Sequence, residues 1–261
     1  MGMVRLSSRL RAGLSIMAPS AFSARFARCP FCGHSVFVRL NRSESGVRCL
    51  RCAASTVHLS IGLAVASEIE LAALSRMDVY ELSATGPFVE HLRKRAARAA
   101  FSEYHPDAVP GTTWQGVRCE DVQALTWPDA CFDLVTHTEV FEHVPDDARG
   151  FSELRRVLRP GGKMLFTVPL FDAPDTVERA RGGGAGIEYL MPAEYHVDPF
   201  KGNEPVLVFR DYGRDIVQRL ERAGFGEARI EVPAFPVPWA RLRPVVRAIA
   251  ARGDDSRRWT G

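Results

Sequence analysis

Four cysteines stand in one tight pattern, Cys29-x2-Cys32-x16-Cys49-x2-Cys52, and no other feature of the chain restricts its fold so narrowly. Two thiolates on a tight knuckle suit the ~2.3 Å bonds and tetrahedral angle of zinc, and two knuckles close a four-sulfur site with no open position. A closed site is structural. A zinc ion held by Cys29, Cys32, Cys49 and Cys52 is therefore expected to fold a small ribbon and to do no chemistry. Disulfide pairing is the competing reading, but six Cys in 261 residues are too few for a disulfide scaffold, and their clustering points to a cytoplasmic setting. Between the knuckles, Val36 to Leu40, a polar turn and Val47 onward read as a short hairpin. Cys119 and Cys131 read as buried small hydrophobes.

Charge divides the chain. Residues 1–60 carry nine Arg and one acid, Glu44, for a net +8, which leaves the remainder at −5. The sequence predicts a basic disordered arm over 1–24, the ribbon over 25–56, a connecting helix over 57–76, a large domain over 77–232 with an insertion at 171–205, and a tail over 233–261. The arm's apolar stretch is broken by Ser15, Pro19, Ser20 and Ser23, which argues against a targeting peptide. No apolar run approaches the ~18 residues of a membrane span. Arg25, Arg28, Arg39, Arg42, Arg48 and Arg51 around the ribbon are either a phosphate-meeting surface or solvated charge, with no aromatic stacking platform beside them.

From Asp78 onward apolar runs alternate with amphipathic stretches, the pattern of a parallel sheet with crossover helices. Strands are expected at 79–82, 100–103, 117–119, 132–136, 163–168 and 228–232, and helices at 88–98, 148–158 and 214–223. Only about a dozen residues separate the second and third strands, so the crossover helix there is shortened or missing. Residues 171–205, Gly-rich and with four Pro, are expected to be irregular and to form a lid, with Gly182-Gly183-Gly184 as its hinge. The tail ends in a basic amphipathic stretch from Arg241 to Arg252.

Several motifs fall in order on this pattern: Glu81-Leu-Ser83-Ala84-Thr85-Gly86 after the first strand, Asp121 after the third, Phe132-Asp133-Leu-Val135 as the fourth, then Thr138-Glu139-Val-Phe-Glu142-His143 and Pro160-Gly161-Gly162. Over residues 78–232 this combination resembles the class I S-adenosylmethionine-dependent methyltransferases. The resemblance implies an α/β, Rossmann-like, mostly parallel seven-stranded sheet behind the zinc ribbon, and methyl transfer from S-adenosylmethionine to a small molecule or sugar. It implies a cofactor site built from Glu81, Ser83, Ala84, Gly86, Glu103, Asp121 and Thr138. Glu103, 22 residues beyond Glu81 at the end of the second strand, suits acceptance from both ribose hydroxyls. The family's Gly-rich first loop is thinned here, with Ser83, Thr85 and Pro87 at its Gly positions.

His196, in the Glu194-Tyr195-His196 cluster of the insertion, is the candidate acceptor-activating base, or else a lid hydrogen-bonding group. His143 is a second candidate, or else a packed helix-start histidine. Two further functions fit the sequence: a zinc-ribbon methyltransferase whose +8 segment presents RNA, and a degenerate, non-catalytic module, which the lost Gly residues favour.

Overall fold

A computed structural model of the chain describes residues 17–43, 46–183, 186–197 and 204–251. At the N-terminus β1 (Ser23–Phe26), β2 (Val36–Arg39) and β3 (Val47–Cys49) form an antiparallel sheet in that order. The ribbon starts earlier than residue 25. Ser23 pairs with Arg39 and Ala24 with Val38, and the Ala18 amide donates to the Leu40 carbonyl, so residues 18–24 line the free edge of β2 rather than forming a disordered arm. An unpaired strand edge leaves backbone donors and acceptors unmet, and this segment meets them. Residues 1–16 of the expected arm lie outside the described residues.

The connecting helix α1 (Thr56–Glu68) opens with a reciprocal cap: the Ser55 hydroxyl accepts from the His58 amide while the Ser55 amide donates to His58 Nδ1. Extended backbone at Ile69 ends it, and a separate turn, Leu71–Leu74, precedes the sheet.

Next come β4 (Asp78–Glu81), α2 (Pro87–Arg95), β5 (Arg98–Glu103), β6 (Thr113–Trp114), β7 (Val117–Cys119), β8 (Phe132–Thr138), α3 (Asp147–Val157) and β9 (Leu158–Thr167). After the insertion, α4 (Ile216–Arg222) is followed by the last two strands, Phe225–Glu231 and Val245–Ala250. Between β9 and α4 lie β10 (Val177–Glu178), β11 (Ala180–Gly183), β12 (Gly186–Tyr189), β13 (Tyr195–His196), β14 (Val206–Leu207) and β15 (Arg210–Asp211), which makes the last two strands β16 and β17. The large sheet runs β16-β17-β9-β8-β4-β5-β7-β6. Its middle is parallel from β9 to β7, with β17 antiparallel to both neighbours and β6 antiparallel to β7.

Side-chain alternation builds a layer on each face. Val79, Leu134, Leu165 and Val245 point to one face, where Ile61, Ala64 and Val65 of α1 and Phe88 and Leu92 of α2 cover them. Tyr80, Val135, Met164, Phe166 and Val246 point to the other, under Phe151 and Leu154 of α3 and Ile216 and Leu220 of α4.

Three expectations change. The sheet has eight strands rather than seven, because the short β5–β7 connection forms the edge strand β6 where a crossover helix would have stood. The tail is no appendage. Its basic amphipathic stretch contains β17, inserted between β9 and β16, with Arg247 buried against Glu68 at 2.8 Å and Glu227 at 3.0 Å. The insertion is not irregular but three two-stranded antiparallel ladders, β10 with β15, β11 with β12 and β13 with β14. The expected hinge is one strand of such a ladder: Gly182 pairs with Ile187, and a Cβ there would meet Pro145 at 2.6 Å; Gly184 lies outside the described residues.

Candidate functional site

The four ribbon thiols come together. Cys29 and Cys52 Sγ lie 3.7 Å apart, Cys32 and Cys49 Sγ 3.6 Å apart, and all four within 4.8 Å of one another. Sulfurs bound tetrahedrally to zinc at ~2.3 Å would sit about 3.8 Å apart, so the cage fits that ion and is far too wide for S–S bonds. Both knuckles turn alike. The Gly33 amide donates to the Cys29 carbonyl and the Ala53 amide to the Cys49 carbonyl, each residue at positive φ. Hydrogen bonds from Cys29 and Cys52 hold the Cys49 thiol far below its ordinary range.

The ribbon is seated on the domain by Phe31. Its ring lies edge-on to Phe88 and His91, with centroids 6.1 and 5.5 Å away, and fills the space a side chain at Gly62 of α1 would need.

The second cluster forms where the chain reverses direction through the sheet. From β4 it steps outward to β5 and β7, then returns to β8 on the other side of β4, and in such sheets ligands sit beyond the strand ends at this switch. The loop after β4 carries Ser83, Ala84 and Gly86. Gly86, at φ +116°, is the N-cap of α2, a conformation closed to L side chains, and Pro87 follows at the first helical position, where a missing N–H is harmless.

Glu103 is exposed at the end of β5, and its Oε1 accepts from the Ala84 amide at 3.3 Å, which leaves the rest of the carboxylate turned to solvent. Asp121 follows β7, and its Oδ1 is already engaged by the amide and side chain of Gln123. Thr138 ends β8. Glu81, expected as a contact, is 1% exposed and accepts from the Thr136 hydroxyl on the neighbouring strand, so it lies beneath the loop as a support. Asp133 ties strands instead, accepting from the Asp78 amide and pairing with Arg159.

The third cluster joins the β8 loop to the insertion. His143 Nδ1 lies 2.8 Å from the Leu207 carbonyl, and His143 and His196 meet edge to face with centroids 5.0 Å apart. Between them sits the Glu142 carboxylate, 1% exposed, with Oε1 at 3.7 Å from His143 Nε2 and 3.8 Å from His196 Nδ1. Burial, then the charge of Glu139, pushes the Glu142 carboxyl well above its ordinary range. Burial likewise lowers His143 to about 4 and depresses His196. The insertion is clamped here by Arg210, whose guanidinium donates to the carbonyls of Phe141, Val144 and Pro145 and pairs with Glu178, while the Phe209 amide donates to the Glu142 carbonyl.

Residues 59–166 match the methyltransferase domain family. A curated relative in Mycolicibacterium smegmatis, named "Probable S-adenosylmethionine-dependent methyltransferase", is 43% identical over 148 residues, 53% of this chain and 55% of its own length. A malonyl-[acyl-carrier protein] O-methyltransferase of Halorhodospira halophila is 26% identical over 138 residues, 53% of this chain and 41% of its own. The chain thus spans about half or less of the curated relatives it matches. An S-adenosylmethionine-dependent methyltransferase structure from Mesorhizobium loti aligns over 71% of this chain and 95% of its own at 18% identity, with a TM-score of 0.46.

The switch-point loops bring Ser83, Ala84, Gly86 and Glu103 together, and the insertion brings His196 to His143. Sequence reasoning missed Glu142 as a site residue. Its adjacency to His143 was the available signal, but only the seating of β13 and β14 reveals that His196 faces the same carboxylate. It also missed Arg243, whose Nη2 lies 3.7 Å from Glu139 and which belongs to the segment read as a tail. Among the described residues no helix is long and apolar enough to cross a membrane.

Proposed function

We propose that the chain is an S-adenosylmethionine-dependent methyltransferase that acts on a small-molecule acceptor and carries a structural zinc ion on Cys29, Cys32, Cys49 and Cys52. The observation that carries the reading is the exposed Glu103 carboxylate, braced by the Ala84 amide, next to the loop pinned by Gly86 at the chain reversal of a domain that matches this family. Glu103 would accept from the ribose hydroxyls, the Ser83–Gly86 loop would meet the rest of the nucleoside, and Asp121 would present its outer oxygen to the adenine amino group. Thr138 stands at the end of β8, facing the donor side, with His143 and His196 on the acceptor side. When bound, the cofactor supplies a methyl group already activated on a sulfonium. The protein's task is then to hold donor and acceptor in line and to exclude water, since the departing thioether is neutral and needs no acid.

Calorimetric titration of the full chain with S-adenosylmethionine tests this reading. Saturable binding is expected, and Glu103→Ala should weaken it by about 10- to 100-fold, the loss of a charge-assisted hydrogen bond worth roughly 1.5–3 kcal/mol. Absence of binding by the wild-type chain would favour a non-catalytic module instead. The RNA-acceptor reading would require RNA retention that falls steeply with salt.

A further inference from the structure

We propose that Glu142, His143 and His196 form a binding site for a single first-row divalent cation, separate from the cysteine cage. Their ligand atoms already lie within 4.8 Å of one another. Around an ion at ~2.1 Å, neighbouring ligand atoms stand about 3.0–3.4 Å apart, so Glu142 Oε1, at 3.7 and 3.8 Å from the two imidazoles, needs to close by only a few tenths of an ångström.

Two features point to a ligand rather than to packing. Glu142 is 1% exposed, and neither carboxylate oxygen has a hydrogen-bond partner among the described residues. A carboxylate buried in that way is costly unless a charge or a donor meets it, and the nearest groups are two nitrogens just beyond hydrogen-bond reach. His143 is also oriented for the purpose. With its Nδ1–H donating to the Leu207 carbonyl at 2.8 Å, its Nε2 keeps a lone pair 3.7 Å from Glu142 Oε1, the arrangement by which proteins fix the tautomer of a metal-bound imidazole.

Two imidazoles and one carboxylate are a nitrogen and oxygen set, suited to Mn2+, Fe2+, Co2+ or Zn2+ rather than to a hard, oxygen-only site for Ca2+. Three protein ligands leave the remaining positions of a four- to six-coordinate ion open. His196 is 39% exposed at its side chain, so the site opens toward solvent on the insertion side. Those positions suit an oxygen of the acceptor, a hydroxyl or a pair of adjacent hydroxyls, which the ion would orient and acidify. That use of the site rests on the methyl-transfer reading; the presence of the site does not. The same two histidines were expected to act as acid–base groups, and ligation gives them a role in which neither needs to carry a proton.

The site is occupied by parts that only the folded insertion assembles. Leu207 both pairs with Tyr195 in the β13–β14 ladder and supplies the carbonyl that orients His143, so His196 and His143 are set by one ladder.

The test uses the full chain with its cysteine cage loaded, titrated with Mn2+ and followed by electron paramagnetic resonance, which the thiolate cage leaves silent. One Mn2+ per chain is expected, with spin-echo modulation from imidazole nitrogen. His196→Ala should weaken it at least tenfold and Glu142→Gln at least a hundredfold. His196→Ala alters a half-exposed side chain and keeps the test valid even if Glu142→Gln does not fold. No saturable Mn2+ binding up to millimolar concentration, or binding of equal strength in wild type and His196→Ala, overturns the proposal. Calorimetry with S-adenosylmethionine on the same samples separates the two readings, because loss of cation binding with cofactor binding intact rejects this site alone.

Discussion

At the scale of single residues, burial decides the charge of one histidine in the sheet. His137 is fully buried in β8, stacked between Phe141 and Phe166 with centroids 4.7 and 4.4 Å away, and burial lowers its imidazole to about 3. In the unfolded chain it titrates near 6.5. Between those values only the unfolded chain binds the proton, so stability is full above about pH 6.5 and falls by up to about 1.4 kcal/mol per pH unit as the pH drops toward 3. His137→Phe keeps the stack and removes the titration. Denaturant melts at a series of pH values between 4 and 6 should show a shallower acid slope in that variant, and parallel slopes would rule this account out. None of this could be read from the sequence, where His137 stands between two threonines.

Between elements, the seating of the ribbon turns on a glycine in a helix. Gly62 is a poor helix former, and Gly62→Ala in an open helix would add up to about 1 kcal/mol of stability. Here a Cβ would run into the Phe31 ring, so the substitution should lower the melting temperature instead. Adding Phe31→Ala should return part of that loss, since the clash disappears with the ring, and an additive double variant would show that Phe31 does not govern the docking.

Elements also show what a sequence discloses. The cysteine spacing and the alternation from Asp78 to Thr167 announce the ribbon and the parallel strands, because each repeats a period that only one backbone shape satisfies. Val245–Ala250 carries no such mark. It is six residues long, follows Pro244, and includes Arg247, whose burial depends on Glu68 and Glu227 from distant parts of the chain. The two-residue ladders of the insertion are likewise too short for any period to register, and the Glu142 cluster exists only because those ladders seat.

At the scale of the whole molecule, the ribbon and the sheet share a core. Phe37, Val47 and Leu59 pack with Val237 and Ala240, and Phe235 and Trp239 lie against the same cluster, so the segment after β16 runs across the ribbon before it returns as β17. Removing the proposed zinc with a chelator should therefore loosen more than the knuckles. Hydrogen exchange is expected to rise at Val237–Ala240 together with β2 and β3, while β8 stays protected; a rise confined to residues 25–56 would mean that the segment holds its place without the ribbon.

The position of β17 bears on how quickly such a chain can find its native state. Val246 pairs with Phe166 on one side and Ile230 on the other, so the sheet's antiparallel end cannot close until a stretch as long as the insertion and α4 has been looped out and brought back. The entropy of closing that loop comes before any contact rewards it, which sets this fold among the slow ones. Until the strand arrives, β9 presents a bare hydrogen-bonding edge rich in Met164, Leu165 and Phe166, and refolding yield should fall as protein concentration rises.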